Sequence, residues 1–123
     1  MTVQDSADPV EQAVGRWLTL PELAEELGTD AARVRRMYSE GQFVARRRGE
    51  RSVLSVPAEF VQDAVLVKGL TGTLTVLSDV GYAEEESLTW LFTEDPSLPG
   101  SPITALRENR GTEVRRRAQA LAF

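Results

Sequence analysis

Leu20, Leu23, Ala24 and Leu27 recur at i, i+3, i+4 and i+7 with Glu22, Glu25 and Glu26 between them, so one apolar stripe faces a core and the acids face water. Thr19 and Glu22 have the spacing of a capping box, Pro21 falls in the first turn where a missing N–H costs little, and Gly28 supplies a left-handed stop. Thr29 or Asp30 caps a second helix almost at once, with Ala31, Val34, Met37 and Tyr38 on its inner side and Gly41 at its end. Two helices joined by so short a glycine-containing turn have helix-turn-helix spacing. Rotation about the second helix turns Ala32, Arg33, Arg36 and Ser39 outward and leaves Arg35 on the flank.

Phe43 to Arg47 and Ser52 to Val56 are short β-capable runs around Arg48-Gly49-Glu50-Arg51, which reads as a hairpin wing. Pro57 ends the second strand and is expected to open a helix carrying Phe60, Val61, Ala64 and Val65. Thr71 to Val80 is β-branched enough for a strand, yet Leu74, Leu77 and Val80 share a helical face, and helix is the preferred reading. Glu84 to Thr93 reads as a helix with its acids at the positive end and Leu88, Leu91 and Phe92 buried. After the rigid Pro96 to Pro102 loop come a short helix, Ile103 to Glu108, and a final one capped by Thr112 with Val114, Ala118 and Leu121 inward.

The expected fold is mainly α with a small β-hairpin: a flexible N-terminal tail over 1–15, a winged helix-turn-helix over 16–69, and a C-terminal helical region over 70–123 packed on it. Trp17, Phe43, Trp90 and Phe92 have apolar neighbours and are assigned to packing rather than to a base-stacking platform.

Composition narrows the chemistry. The chain has 123 residues, no cysteine and no histidine, which removes disulfides, thiolate metal sites and every Ser-His or Cys-His arrangement. No apolar run is long enough to cross a bilayer and no phosphate-loop motif is present, so the expectation is a cytoplasmic protein without cofactor, metal or enzymatic activity.

A net charge of −5 argues at first against a polyanionic partner, but its distribution reverses that argument. Arg33, Arg35, Arg36, Arg46, Arg47, Arg48 and Arg51 face only Glu40 and Glu50 within their stretch, a local excess of +5 on the second helix and wing. A B-form major groove admits a helix, and an arginine there can bond guanine O6 and N7 together. Ala32, Arg33, Arg35, Arg36 and Ser39 are therefore the candidate recognition-helix contacts, with Arg36 and Arg33 as base readers. Arg46, Arg47, Arg48 and Arg51 are candidate wing contacts to phosphates or the minor groove. Arg115, Arg116 and Arg117 form either a further phosphate contact or a solvated face. Oligomeric state is left open, since no long heptad seam is visible.

The segment WLTLPELAEELGTDAARVRRMYSEGQFVARRRGERSVLSVP resembles the winged helix-turn-helix of the excisionase and MerR type. GTLTVLSDVGYAEEESLTWLFTEDPSLPGSPITALRENRGTEVRRRAQALAF resembles the C-terminal region of a family of actinobacterial winged-helix DNA-binding proteins. That resemblance implies double-stranded DNA as partner, at the nucleoid, for a transcriptional regulator or nucleoid-associated protein. It also implies a Ser/Thr kinase acting on the N-terminal tail, where Thr2 and Ser6 are the hydroxyls. The W-L-F, P-G-S-P-I-x-A-L and E-V pattern is similar as well to the toxin-binding domain of Xre/MbcA/ParS-type antitoxins, which implies a protein partner for the C-terminal helices.

Overall fold

The computed structural model describes residues 8–122. Thr2 and Ser6, the candidate phosphorylation sites, lie outside the described residues. The described chain begins with a short helix, α1 (Pro9–Ala13), in place of the unstructured tail expected through residue 15. Asp8 caps it, accepting from Val10 N at 2.9 Å and Glu11 N at 3.3 Å, and Pro9 presets the first turn. Val10 and Val14 are buried, so a helix of only five residues persists through tertiary packing rather than propensity.

Strand β1 (Trp17–Thr19) leads directly into helix α2 (Leu20–Leu27). The capping box is complete: Glu22 N donates to Thr19 Oγ1 at 3.3 Å and Thr19 N to Glu22 Oε1 at 2.8 Å. Gly28 takes φ 68°, the left-handed stop that its sequence position requires. Asp30 caps helix α3 (Ala31–Ser39) through Arg33 N at 2.8 Å. Strands β2 (Arg46–Arg48) and β3 (Val53–Pro57) form the wing, and β3 pairs antiparallel with both β1 and β2. Leu18 lies opposite Val56 and Arg47 opposite Leu54, which places β1 and the wing in one sheet.

After Pro57 the expected helix is absent. A single 3-10 turn (Ala58–Phe60) gives way to a hairpin of β4 (Val61–Gln62) and β5 (Val65–Leu66). Two causes are visible. Asp63 and Ala64 both take positive φ, 56° and 65°, the geometry of a two-residue hairpin turn normally marked by Asn-Gly or Asp-Gly. The Arg107 guanidinium also donates to Glu59 O and Val61 O, each at 2.8 Å, fixing carbonyls that a helix would use internally. Val65, expected to be inward, is exposed.

The C-terminal region has four helices: α4 (Leu70–Asp79), α5 (Glu84–Leu91), α6 (Pro102–Arg107) and α7 (Gly111–Ala120). Leu70, Leu74 and Leu77 are buried on α4, in keeping with the helical reading of that stretch. Helix α7 starts one residue before Thr112 and has no side-chain cap, so Thr112 lies inside the first turn instead of capping it. Leu121, expected inward, is exposed.

One buried cluster runs from Val10 to Ala118 through both halves of the chain. The rings of Phe60 and Phe92, one from each half, lie 6.1 Å apart. Leu77→Ala, at a fully buried position, is expected to cost about 2–5 kcal/mol in urea unfolding. A shared core also predicts a single midpoint for the fluorescence of Trp17 and of Trp90, read separately in Trp90→Phe and Trp17→Phe variants; two separated midpoints would contradict it.

Candidate nucleic-acid interface

Helix α3 divides as its sequence periodicity demands. Val34 and Met37 are buried, while Ala32, Arg33, Arg35, Arg36 and Ser39 are all exposed. Among the described residues, none of the three arginines is ion-paired. Ser39 Oγ donates to Arg36 O at 2.9 Å, so its hydroxyl is partly occupied by its own helix.

The wing separates its arginines by strand alternation. Arg46 and Arg48 point toward α1 and α5, and Arg47 to the opposite face. The Arg46 side chain is only 13% exposed. Its Nη1 lies 3.0 Å from Asp8 Oδ2 and 3.1 Å from Glu11 Oε2, and the fork of Nε and Nη2 meets Glu85 at 3.0 and 2.7 Å. Arg48 holds Glu11 in the same two-point manner, at 3.0 and 2.7 Å, with its guanidinium 4.5 Å from the centre of the Trp17 ring. These two side chains therefore already have anionic partners within the chain.

Arg47 and Arg51 are exposed. Arg47 Nη1 donates to Ser52 O at 3.0 Å, which braces it along the wing turn, and among the described residues it has no ion pair. Gly49 (φ 77°) and Ser52 (φ 52°) shape the turn between the strands.

Helix α5 secures this arrangement from behind. Glu84 accepts from Tyr38 OH at 3.1 Å and from Ala45 N at 2.9 Å, joining α3 to the root of the wing. Burial and this bond to a carboxylate push the Tyr38 phenol up to about 12, so it remains a donor throughout the neutral range. Consecutive acids on a helix diverge, and Glu84 and Glu85 use that divergence to reach two different groups. Sequence reasoning does not single out Asp8, Glu11, Glu84 and Glu85 as partners of the basic stretch: their contacts span 35 to 46 residues, beyond any local pattern. The excess of arginine over acid between residues 33 and 51 is the one available signal that outside carboxylates have to arrive.

The Arg48 bond, against opposing desolvation and with help from Arg46, holds the Glu11 carboxyl below its ordinary value of 4.5. A depressed folded-state value stabilises fully above the unfolded value and is lost as pH falls through the folded one. Glu11→Gln is therefore expected to lower the melting temperature at pH 6 and to make it less sensitive to acid below about pH 4.5. Parallel melting curves for both proteins across that window would show that the pair contributes nothing.

Known proteins share this architecture. Residues 3–61 match the family model described as the winged helix-turn-helix domain of DNA-binding protein Rv2175c, and residues 67–122 match the Rv2175c C-terminal domain of unknown function. The chain is 40% identical over 116 residues to the protein named DNA-binding protein Rv2175c from Mycobacterium tuberculosis (strain ATCC 25618 / H37Rv), covering 85% of this chain and 79% of that one. Its fold is similar to the NMR structure of Rv2175c, with a TM-score of 0.78 and 37% identity over 88% of this chain and 82% of the other. The chain thus belongs to the Rv2175c family, with the winged helix-turn-helix followed by the family's C-terminal domain.

Proposed function

We propose that this protein binds duplex DNA as a transcriptional regulator or nucleoid-associated protein, with α3 in the major groove and the outer side of the wing on the phosphate backbone. The observation that carries this reading is the sorting of the basic stretch. Arg33, Arg35, Arg36, Arg47 and Arg51 are exposed and free of ion pairs among the described residues, on a capped helix and the wing beside it. The name of the Mycobacterium tuberculosis relative agrees with it.

In this reading Arg36 and Arg33 read base edges, while Arg35 and Ser39 flank the groove and Ala32 allows close approach. Arg47 and Arg51 anchor phosphates. Arg46 and Arg48, expected among the anchors, instead hold the wing in position, because displacing their carboxylates would uncover Asp8, Glu11 and Glu85 beside a polyanion. No catalysis is proposed, and the expected site of action is the cytoplasmic nucleoid. Phosphorylation of Thr2 or Ser6 by a Ser/Thr kinase belongs to the same proposal: it adds negative charge to a chain that binds a polyanion and weakens association, which a phosphorylated sample in a binding assay checks. The alternative, a protein partner on the C-terminal helices, is weaker, since Glu84 and Glu85 are engaged by the winged helix and the name of the relative points to DNA.

Arg36→Ala is expected to reduce discrimination between selected and scrambled duplexes by about 1–3 kcal/mol. Arg47→Gln and Arg51→Gln should weaken all sequences alike, each flattening the log-log salt slope by about 0.9. Binding unaltered in the triple variant would end this reading.

A further inference from the structure

A cleft of about 350 Å³ opens between the start of α4 and the start of α7, lined by Lys68, Gly69, Asn109, Gly111, Thr112 and Arg115. The DNA reading makes no use of it. Its charged lining is entirely cationic, in a chain whose net charge is −5. Among the described residues neither Lys68 nor Arg115 takes part in an ion pair, and Glu113, in the same turn as Thr112, is held by Arg110 at 3.2 Å.

Glycines stand where the two helix starts meet. Gly69 takes φ 89°, and a side-chain carbon on it would stand 3.1 Å from Leu106 Cδ2, so glycine there eases the close approach of the two helix starts. A side-chain carbon on Gly72 would stand 3.0 Å from Arg115 Nη2. Glycine is a poor helix former, and at the third position of α4 it leaves room for the Arg115 guanidinium to lie across the first turn. Side chains on a helix lean toward its N-terminus, so Arg115 reaches back over Gly111 and Thr112. A cation toward that end opposes the helix dipole, and among the described residues Arg115 has no ion-pair partner, the first-turn acid Glu113 being paired with Arg110.

We propose that this cleft binds a phosphoryl group, with Lys68 and Arg115 as its charge partners and the Thr112 hydroxyl and Asn109 amide as further donors. The same chemistry serves a backbone phosphate of bound DNA or the phosphate of a small molecule, and the space exceeds what phosphate alone fills. The small-molecule form is independent of the DNA reading; the DNA form rests on it.

The test titrates the full chain with inorganic phosphate against chloride of equal ionic strength, following amide NMR signals, and compares it with the Lys68→Gln, Arg115→Gln double variant. Both side chains are exposed, so the variant should melt as the parent does. Saturable shifts at Gly69, Gly111 and Thr112 that vanish in the variant support the site. DNA titrations identify the source: a salt slope shallower by about two in the variant assigns the site to the DNA backbone, and an unchanged slope assigns it to a small phosphorylated molecule. The proposal is overturned if phosphate shifts are no larger than those of chloride and the slope is unchanged, or if the shifts persist in the variant. Failure of DNA recognition itself would appear elsewhere, as lost discrimination in Arg36→Ala.

Discussion

Arg46 is where three parts of the chain meet. Its guanidinium joins Asp8 and Glu11 of the N-terminal segment to Glu85 of α5, and it does so from the wing strand β2. Beside it, Glu84 ties Tyr38 and the Ala45 amide to the same helix. Removing Arg46 would leave three carboxylates facing one another, at a cost of about 1–3 kcal/mol once the partial exposure of the acids is allowed for. The orientation of the wing relative to α3 therefore depends on residues from both halves of the chain. The C-terminal domain thereby acquires a physical role, as the surface against which the winged helix is held.

The same joint resolves how an acidic protein presents a basic surface. Arg46, Arg47 and Arg48 alternate across the strand, and the inner two are neutralised by Asp8, Glu11 and Glu85 while Arg47, like Arg51 of the turn, has no ion pair among the described residues. Long-range repulsion between a chain of net charge −5 and a polyanion is screened beyond roughly 8–10 Å at physiological salt, whereas close contacts are made by whichever charges face the duplex. What decides binding is the arrangement of charge, and Glu11 and Glu85 contribute by occupying the arginines that do not face outward.

Much of this is legible locally. The Thr19/Glu22 box, the Gly28 stop and the Val34/Met37 stripe each depend on neighbours within one or two helical turns, and each appears in the structure as the sequence pattern predicts. The departures share a cause. Asp8-Pro9 is a sound helix start, but its helix survives only because Val10 and Val14 find a core elsewhere. The stretch after Pro57 has apolar residues at helical spacing, yet Arg107 from far along the chain captures its carbonyls, and an Asp-Ala turn hides the hairpin. In sequence Arg46 and Arg48 are two more cations on a basic hairpin, and only tertiary structure brings their acids to them.

The most direct test follows the arginine side chains themselves, by the NMR signals of their Nε–H groups as a tightly bound duplex is added. The account predicts that the signals of Arg36 and Arg47 move on binding while those of Arg46 and Arg48 keep their free-state positions, still held by Glu85 and Glu11. Movement of the Arg46 and Arg48 signals with those of α3 unchanged would contradict it, showing that the inner arginines leave their carboxylates for DNA and that α3 does not read the groove.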